Sequence, residues 1–312
     1  MTDLQDRAAG CLVGLAYGDA LGVPYENGTR ALEGRPKLLG GGLGNYEPGE
    51  WSDDTQLAIC IALAALDADL SSEAGLDAVA ERFEDWYSGR PADVGLQTAR
   101  VLHDAELRDG RPAERLRGAA RALHEASGRT AGNGALMRTA PVALALHGDA
   151  EAIAKAARAV AELTHSDPLA GDSCVLWCLA IDAALRGAAP DPAAHVDALP
   201  AQRRDQWAAW IDAADGVPPS TFADNGYTVT ALQAAWAGIR QSKDRGVTSY
   251  LRMIDAAIGA GGDTDTVAAI AGALAGAGWG LEALRDDRID RVHGWPDLTI
   301  DDLAELGRRL VS

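Results

Sequence analysis

GCLVGLAYGDALG, residues 10–22, is the stretch on which the fold turns. Gly10, Gly14, Gly18 and Gly22 recur every fourth residue, with mostly apolar side chains between them. Residues four apart share a helix face, so the pattern predicts a helix carrying a bare stripe. Glycine weakens a helix interior, and a whole stripe of it needs a packing reason. Without Cβ atoms, another helix or a ligand can approach the backbone closely. A membrane-type pairing fails because Asp6, Arg7 and Asp19 flank or interrupt the run. The stripe therefore predicts close packing at the centre of a domain.

The rest of the chain reads the same way. Alanine dominates, β-branched and aromatic residues are scarce, and no segment alternates with period two. Helices are predicted over 57–66, 76–86, 150–163, 174–185, 230–239 and 250–258. Breakers such as GGGLGNYEPGE, SGRPAD, THSDP and DGVPPS fall between them. Residues 190–220, bounded by prolines around a Trp-containing helix, are the nearest thing to an insertion. The expectation is one compact all-α, multi-helix domain over 1–312.

The 312 residues carry 28 basic and 46 acidic side chains, a formal charge of −18. That surplus argues against gripping nucleic acid or an anionic membrane through a broad basic face. With 47% apolar and 24% charged residues, disorder is excluded as the main state. Cys11, Cys60, Cys174 and Cys178 form no CxxC pair, and the last two read as one buried helical face. The N-terminal MTDLQDRAAG has no apolar leader segment. The most apolar run, 267–280, is shorter than the roughly 20 residues a spanning helix needs. A cytoplasmic protein with no membrane partner is expected, a monomer by default.

Chemistry enters at WSDDT, residues 51–55, where Ser52, Asp53 and Asp54 follow a glycine-rich loop and precede an apolar helix. A helix cap explains one such residue, because Ser52 or Asp53 can satisfy free N–H groups. Adjacent acids repel, however, unless something positive sits between them. A second cluster, Asp263-Thr264-Asp265-Thr266, again follows glycines and precedes an apolar helix. If the two helix starts converge, four carboxylates and the Ser52 and Thr266 hydroxyls form a hard-oxygen site. Such a site suits Mg²⁺ or Mn²⁺ and disfavours Zn²⁺. Competing motifs fit poorly. Asp263-x-Asp265 matches a phosphatase nucleophile pattern but lacks the following α/β domain, an EF-hand loop fails at Leu274, and a DDxxD prenyl-synthase motif lacks its third acid.

Taken together, GCLVGLAYGDALGVPYE (10–26), GEWSDDTQLA (49–58), GRPADVG (89–95), GNGALMRTAPVAL (132–144), THSDPLAGDS (164–173), NGYTVTAL (225–232) and GGDTDTVAAIAGALAGAGWG (261–280) resemble the ADP-ribosylglycohydrolase family, seven motifs in order. The resemblance implies an all-α hydrolase in which Ser52, Asp53, Asp54, Asp263, Asp265 and Thr266 ligate two divalent cations, Mg²⁺ or Mn²⁺. It implies a catalytic or gating carboxylate at Glu26 on a loop able to move, with Asp53 and Asp54 also catalytic. Asn133, Gly134 and Met137 would line an ADP-ribose cleft, His165 would approach phosphate or distal ribose, and Tyr227 would meet the nucleotide. The implied partner is ADP-ribose on a modified protein or small acceptor. Asp19 and Asp93 fall in matching motifs but also read as structural acids.

Each residue has a plainer reading. Glu26 follows Pro24 as a loop acid, His165 can bond its own turn, Tyr227 can be core, and Met137 and Arg138 read as packing and surface. The chemistry nonetheless fits. Two ions can fix ribose hydroxyls and ready a water, a carboxylate can take its proton, and no covalent triad is suggested. Backbone N–H groups at the 132–134 turn would meet the pyrophosphate. Thr130 stands where a family aspartate precedes the motif asparagine by three residues, which weakens an arginine-linkage assignment. A non-catalytic ADP-ribose reader and a hydrolase of another ribosylated metabolite are the alternatives.

Overall fold

A computed structural model describes residues 3–241 and 246–312, so Met1 and Thr2 of the N-terminal stretch lie outside it. In chain order the helices are α1 (Asp3–Gly22), α2 (Asp53–Asp67), α3 (Glu73–Ser88), α4 (Leu96–Ala105), α5 (Pro112–Ser127), α6 (Ala140–Ala145) and α7 (Ala150–Ala161). They continue with α8 (Pro168–Leu185), α9 (Ala201–Asp212), α10 (Thr228–Arg240), α11 (Val247–Ile258), α12 (Thr264–Trp279) and α13 (Ile300–Leu310). Among the described residues the only sheet is a two-stranded hairpin, His293–Gly294 against Leu298–Thr299. The all-α expectation holds, and each of the six helices read from the sequence is present.

The glycine stripe of α1 packs on α12. A Cβ at Gly14 would lie 2.3 Å from the Gly272 carbonyl oxygen, and one at Gly276 would lie 1.9 Å from that of Gly10. No side chain fits between the two backbones. From Ala8 to Gly22 every residue of α1 is buried, and α12 is buried from Thr264 to Gly278. Tyr250 on α11 closes one side, donating its hydroxyl to the Gly14 carbonyl at 2.9 Å.

Helix α8 is the second buried element. Its 18 residues are long and apolar enough to cross a membrane, with mean hydropathy 1.4, but 89% of them are buried inside the protein. Run 267–280, the most apolar by sequence, is too short to span; α8 meets the length, and its position in the core accounts for its composition. Cys174 and Cys178 lie on it, buried as read. Segment 190–220 is clamped rather than appended. Trp207 of α9 is fully buried and donates its indole N–H to Asp172 of α8 at 3.1 Å. Arg158 and Arg203 reach the same carboxylate.

Candidate active site

The two acid-bearing helix starts meet beside the end of α1. Asp19, buried on α1, accepts from the Ser52 amide at 3.0 Å and from the Thr55 amide and hydroxyl at 3.1 and 2.5 Å. It thus caps α2 from another helix. The plainer reading of this cluster has Ser52 or Asp53 capping α2; the structure shows no side-chain cap bond at Ser52. The reason is that Asp19 already occupies the free amides. At α12 Asn225 Oδ1 accepts from the amide of Asp263, the residue before the helix, at 2.8 Å, and no Asp263 side-chain cap forms. Asp19 takes the free amides of α2, and at α12 Asp265 Oδ1 accepts from the Thr266 amide at 3.0 Å, while the Asp54 and Asp263 carboxylates accept no backbone amide among the described residues.

That space is a cleft of about 400 Å³ whose lining includes Glu26, Asp53, Asp54, Asp263, Asp265 and Thr266, with Asn133, Gly134 and Met137 on one wall. Carboxylate oxygens of Glu26, Asp263 and Asp265 lie within 4.8 Å of one another. Ser52 sits just behind, donating its hydroxyl to Asp54 Oδ2 at 3.2 Å, and Thr266 donates to the same oxygen at 3.3 Å. Asn133 Nδ2 donates to Asp263 at 2.6 Å. Asp54 Oδ1 is buried without a hydrogen-bond partner among the described residues.

Glu26 reaches the cluster through a kink rather than a free loop. It lies in the 3-10 segment Val23–Gly28 directly after α1, is buried, and is followed by Asn27 with φ of 49°. Asparagine tolerates that left-handed conformation. The Asn27 amide then donates to the Gly262 carbonyl at 2.7 Å, fastening Glu26 against the second acid cluster. Gly22 completes the join, since a Cβ there would fall 2.4 Å from Asp265 Cα.

The substrate-side residues divide. Asn133, Gly134 and Met137 line the cleft. Tyr227, 36% exposed at the start of α10, lines a neighbouring hollow of about 510 Å³ with Gln97, Arg129 and Asp167. The 132–134 turn separates the two, paired to Tyr227 through a backbone bridge at Gly132. The Asn133 amide, read as a free donor, is taken by the Gly226 carbonyl at 3.1 Å. His165 lines neither hollow. It is buried under the turn, where a side chain at Gly132 or Gly134 would crowd its ring at 3.3 or 3.2 Å, and its Nδ1 pairs with the Thr164 hydroxyl at 2.7 Å. Burial and the nearby Arg138 push its pKa down to about 3, so it is neutral.

Thr130 also faces away from the acids. It is buried, with its hydroxyl 2.5 Å from His124 Nδ1. Thr130 is not among the residues that line the acid cleft, whereas Asp93 is. Asp93 carried a motif signal in GRPADVG, whereas Asn225 carried none beyond NGYTVTAL. Arg138, read as packing or surface, is fully buried.

The acids repel protons poorly where they are. Burial, then neighbouring carboxylates, raises Glu26 to about 8 and Asp53 to about 7, and lifts Asp54 and Asp265 well above the ordinary range. In an unfolded chain these groups titrate near 4. Between roughly pH 4 and 8 the metal-free fold therefore binds more protons than the unfolded chain, and its stability falls as pH rises, by up to about 1.4 kcal/mol per pH unit for each proton. Melting in EDTA is expected to shift downward from pH 5 to pH 8, with Mn²⁺ raising the midpoint most at the alkaline end. A midpoint that climbs with pH in EDTA contradicts this.

Residues 1–312 match the family model for ADP-ribosylglycohydrolase. The sequence is 29% identical over 307 residues to the ADP-ribosyl-[dinitrogen reductase] glycohydrolase of Rhodospirillum rubrum, covering 94% of this chain and 90% of that one. It is 27% identical over 356 residues to the ADP-ribosylhydrolase ARH3 of Danio rerio, covering 98% and 90%. A solved structure titled ADP-ribosylglycohydrolase-related protein complex superposes with a TM-score of 0.75 at 29% identity, over 100% of this chain and 99% of that one. Because the match runs the whole length and takes in both acid clusters, the chain belongs to the ADP-ribosylglycohydrolase family.

Proposed function

We propose that the protein hydrolyses the glycosidic bond between ADP-ribose and its acceptor, and that two divalent cations, Mg²⁺ or Mn²⁺, complete the site. The observations that carry the metal reading are the close approach of the Glu26, Asp263 and Asp265 carboxylates and, in the same cleft, an Asp54 oxygen buried with no partner among the described residues. Buried charge of one sign is tolerated only when something opposite meets it. The donors are carboxylate and hydroxyl oxygens, which suit Mg²⁺ or Mn²⁺. Asp53, Asp54, Asp263, Asp265 and Thr266 would hold the ions, with Ser52 behind them and Glu26 joining the Asp263–Asp265 side. When bound, such ions supply Lewis-acid charge that orients ribose hydroxyls and makes water more acidic.

The chain's own residues define the rest. Glu26 would take a proton from an attacking water, and Asp93 is a further acid lining the cleft. Asn133 holds Asp263 in place by its amide. An extended ligand with its reactive ribose over the acids crosses the 132–134 turn and brings its nucleotide end to the Tyr227 hollow. Direct attack by water is favoured over a covalent route. His165 is neutral and outside the cleft, and the four cysteines are buried, with their thiols pushed up by burial.

The test is a panel of peptides bearing ADP-ribose on arginine or serine, incubated with Mg²⁺, with Mn²⁺ and with EDTA. Free ADP-ribose is then measured by chromatography. Metal-dependent release from at least one linkage is expected. Binding of ADP-ribose with no release from any linkage overturns the hydrolase reading in favour of a reader.

A further inference from the structure

Arg138 ends the 3-10 segment Asn133–Arg138, whose first residues line the cleft. Its side chain is completely buried. One guanidinium nitrogen donates to the Thr164 hydroxyl at 2.5 Å, and the group lies over the Phe83 ring, 4.5 Å from its centroid. The other two nitrogens, Nε and Nη1, have no partner among the described residues. A buried cation without an anion in contact is costly and rarely kept. Elsewhere in this protein burial is handled conventionally, as where Asp172 receives two arginines. Burial lowers the Arg138 pKa only to about 10, so the charge persists at neutral pH.

The negative charge that matches it lies one layer away. Met137, adjacent in sequence, touches the Thr266 hydroxyl through its sulfur at 3.9 Å. The 3-10 segment packs on α2, whose first residues are Asp53 and Asp54, and both acids interact electrostatically with the guanidinium. We propose that Arg138 is the fixed counter-charge of the carboxylate cage, acting on it through the field rather than by contact. The carboxylates of Glu26, Asp53, Asp54, Asp93, Asp263 and Asp265, when ionised, outnumber the charge of two divalent cations. Arg138 offsets part of that surplus from the protein side. The inference rests on the dinuclear reading of the cage and makes Arg138 a positioning residue, not a catalytic one.

The experiment is a calorimetric titration of Mn²⁺ into the metal-free protein at a fixed pH above neutrality. If the wild type takes up no Mn²⁺, the dinuclear reading fails, whatever Arg138 does. If it binds, Arg138→Met is expected to bind Mn²⁺ about tenfold more tightly, because a repelling charge has gone from a poorly screened interior. Arg138→Lys keeps the charge and is expected to stay near the wild-type affinity. Unchanged or weaker Mn²⁺ binding by a folded Arg138→Met protein overturns the proposal, since a purely structural role predicts that direction. If Arg138→Met does not fold without metal, Arg138→Gln is titrated in its place and both variants are refolded with Mn²⁺. Protein refolded with Mn²⁺ is then titrated with a chelator: tighter retention of Mn²⁺ than in the wild type supports the counter-charge role, and equal or weaker retention overturns it, since any ligand of the folded state rescues folding. Failure of both variants to fold even with Mn²⁺ makes Arg138 structural and overturns it.

Discussion

Gly276→Ala is expected to cost the protein its native fold. The new Cβ would lie 1.9 Å from the Gly10 carbonyl oxygen and 2.5 Å from its carbon. Both atoms are backbone, held by the hydrogen bonds of α1, so no rotamer change relieves the overlap. The helices must separate along their shared stripe, and the contacts at Gly14 and Gly272 go with them. Ordinary overpacking costs about 1–3 kcal/mol, and here the loss should exceed about 4 kcal/mol. Against a total stability of about 5–15 kcal/mol that is severe. The control lies two residues on. A Cβ at Gly278 meets only Pro190 at 3.9 Å, so Gly278→Ala should be neutral or stabilising by about 0.5–1 kcal/mol. Thermal melts by circular dichroism distinguish the pair; equal midpoints would mean that α1 and α12 are not in backbone contact.

Asp265→Asn is expected to have the largest effect on function and the opposite effect on the metal-free fold. Asp265 is buried among Glu26, Asp263 and Asp54, and its carboxyl is held well above the ordinary range by burial first and by those neighbours second. Asparagine keeps the shape but removes a charge that the proposed cations would meet. Metal uptake should weaken sharply, and ADP-ribose release should fall by about a thousandfold, the several kcal/mol that bound ions supply. In EDTA above neutral pH the same variant should melt higher than the wild type, because a like-charge repulsion is gone. Stability and activity then move apart, as at sites built against local comfort. Calorimetry with Mn²⁺, the release assay and a melt in EDTA read the three effects; a variant that keeps full metal affinity would falsify the ligand assignment for Asp265.

The sequence exposed local periodicity and little that depended on distant partners. Gly10, Gly14, Gly18 and Gly22 declare a helix with a bare face, because spacing along one helix is a local property. Their partner face, Gly272 and Gly276, was visible only as an apolar run, since nothing local says which two helices meet. The acid clusters at 52–54 and 263–266 stood out because adjacent like charges are unusual at a helix start. Their freedom from capping did not, because Asp19 and Asn225 come from other elements. His165 looked available in THSDP and lies under the turn. Arg138 looked like surface and is buried, for an arginine signals burial only through what surrounds it. Thr130 shows the same limit, since its place in a motif says nothing of the direction in which it points.

The pairing of α1 with α12 also fixes the order in which the molecule comes into being. Translation delivers the glycine face of α1 first, and Asp53 and Asp54 soon after. The helix that covers that face, and the acids that complete the cage, emerge only near residue 264. Contacts between such distant parts of a chain close late and slowly. Until then α1 has no proper partner, and a nascent chain on the ribosome carries half of an acidic site with an unprotected apolar helix beside it. The acid cluster is therefore assembled only once α12 has been made, and a chain broken off before Asp263 lacks both its central packing and the Asp263 and Asp265 half of that cluster.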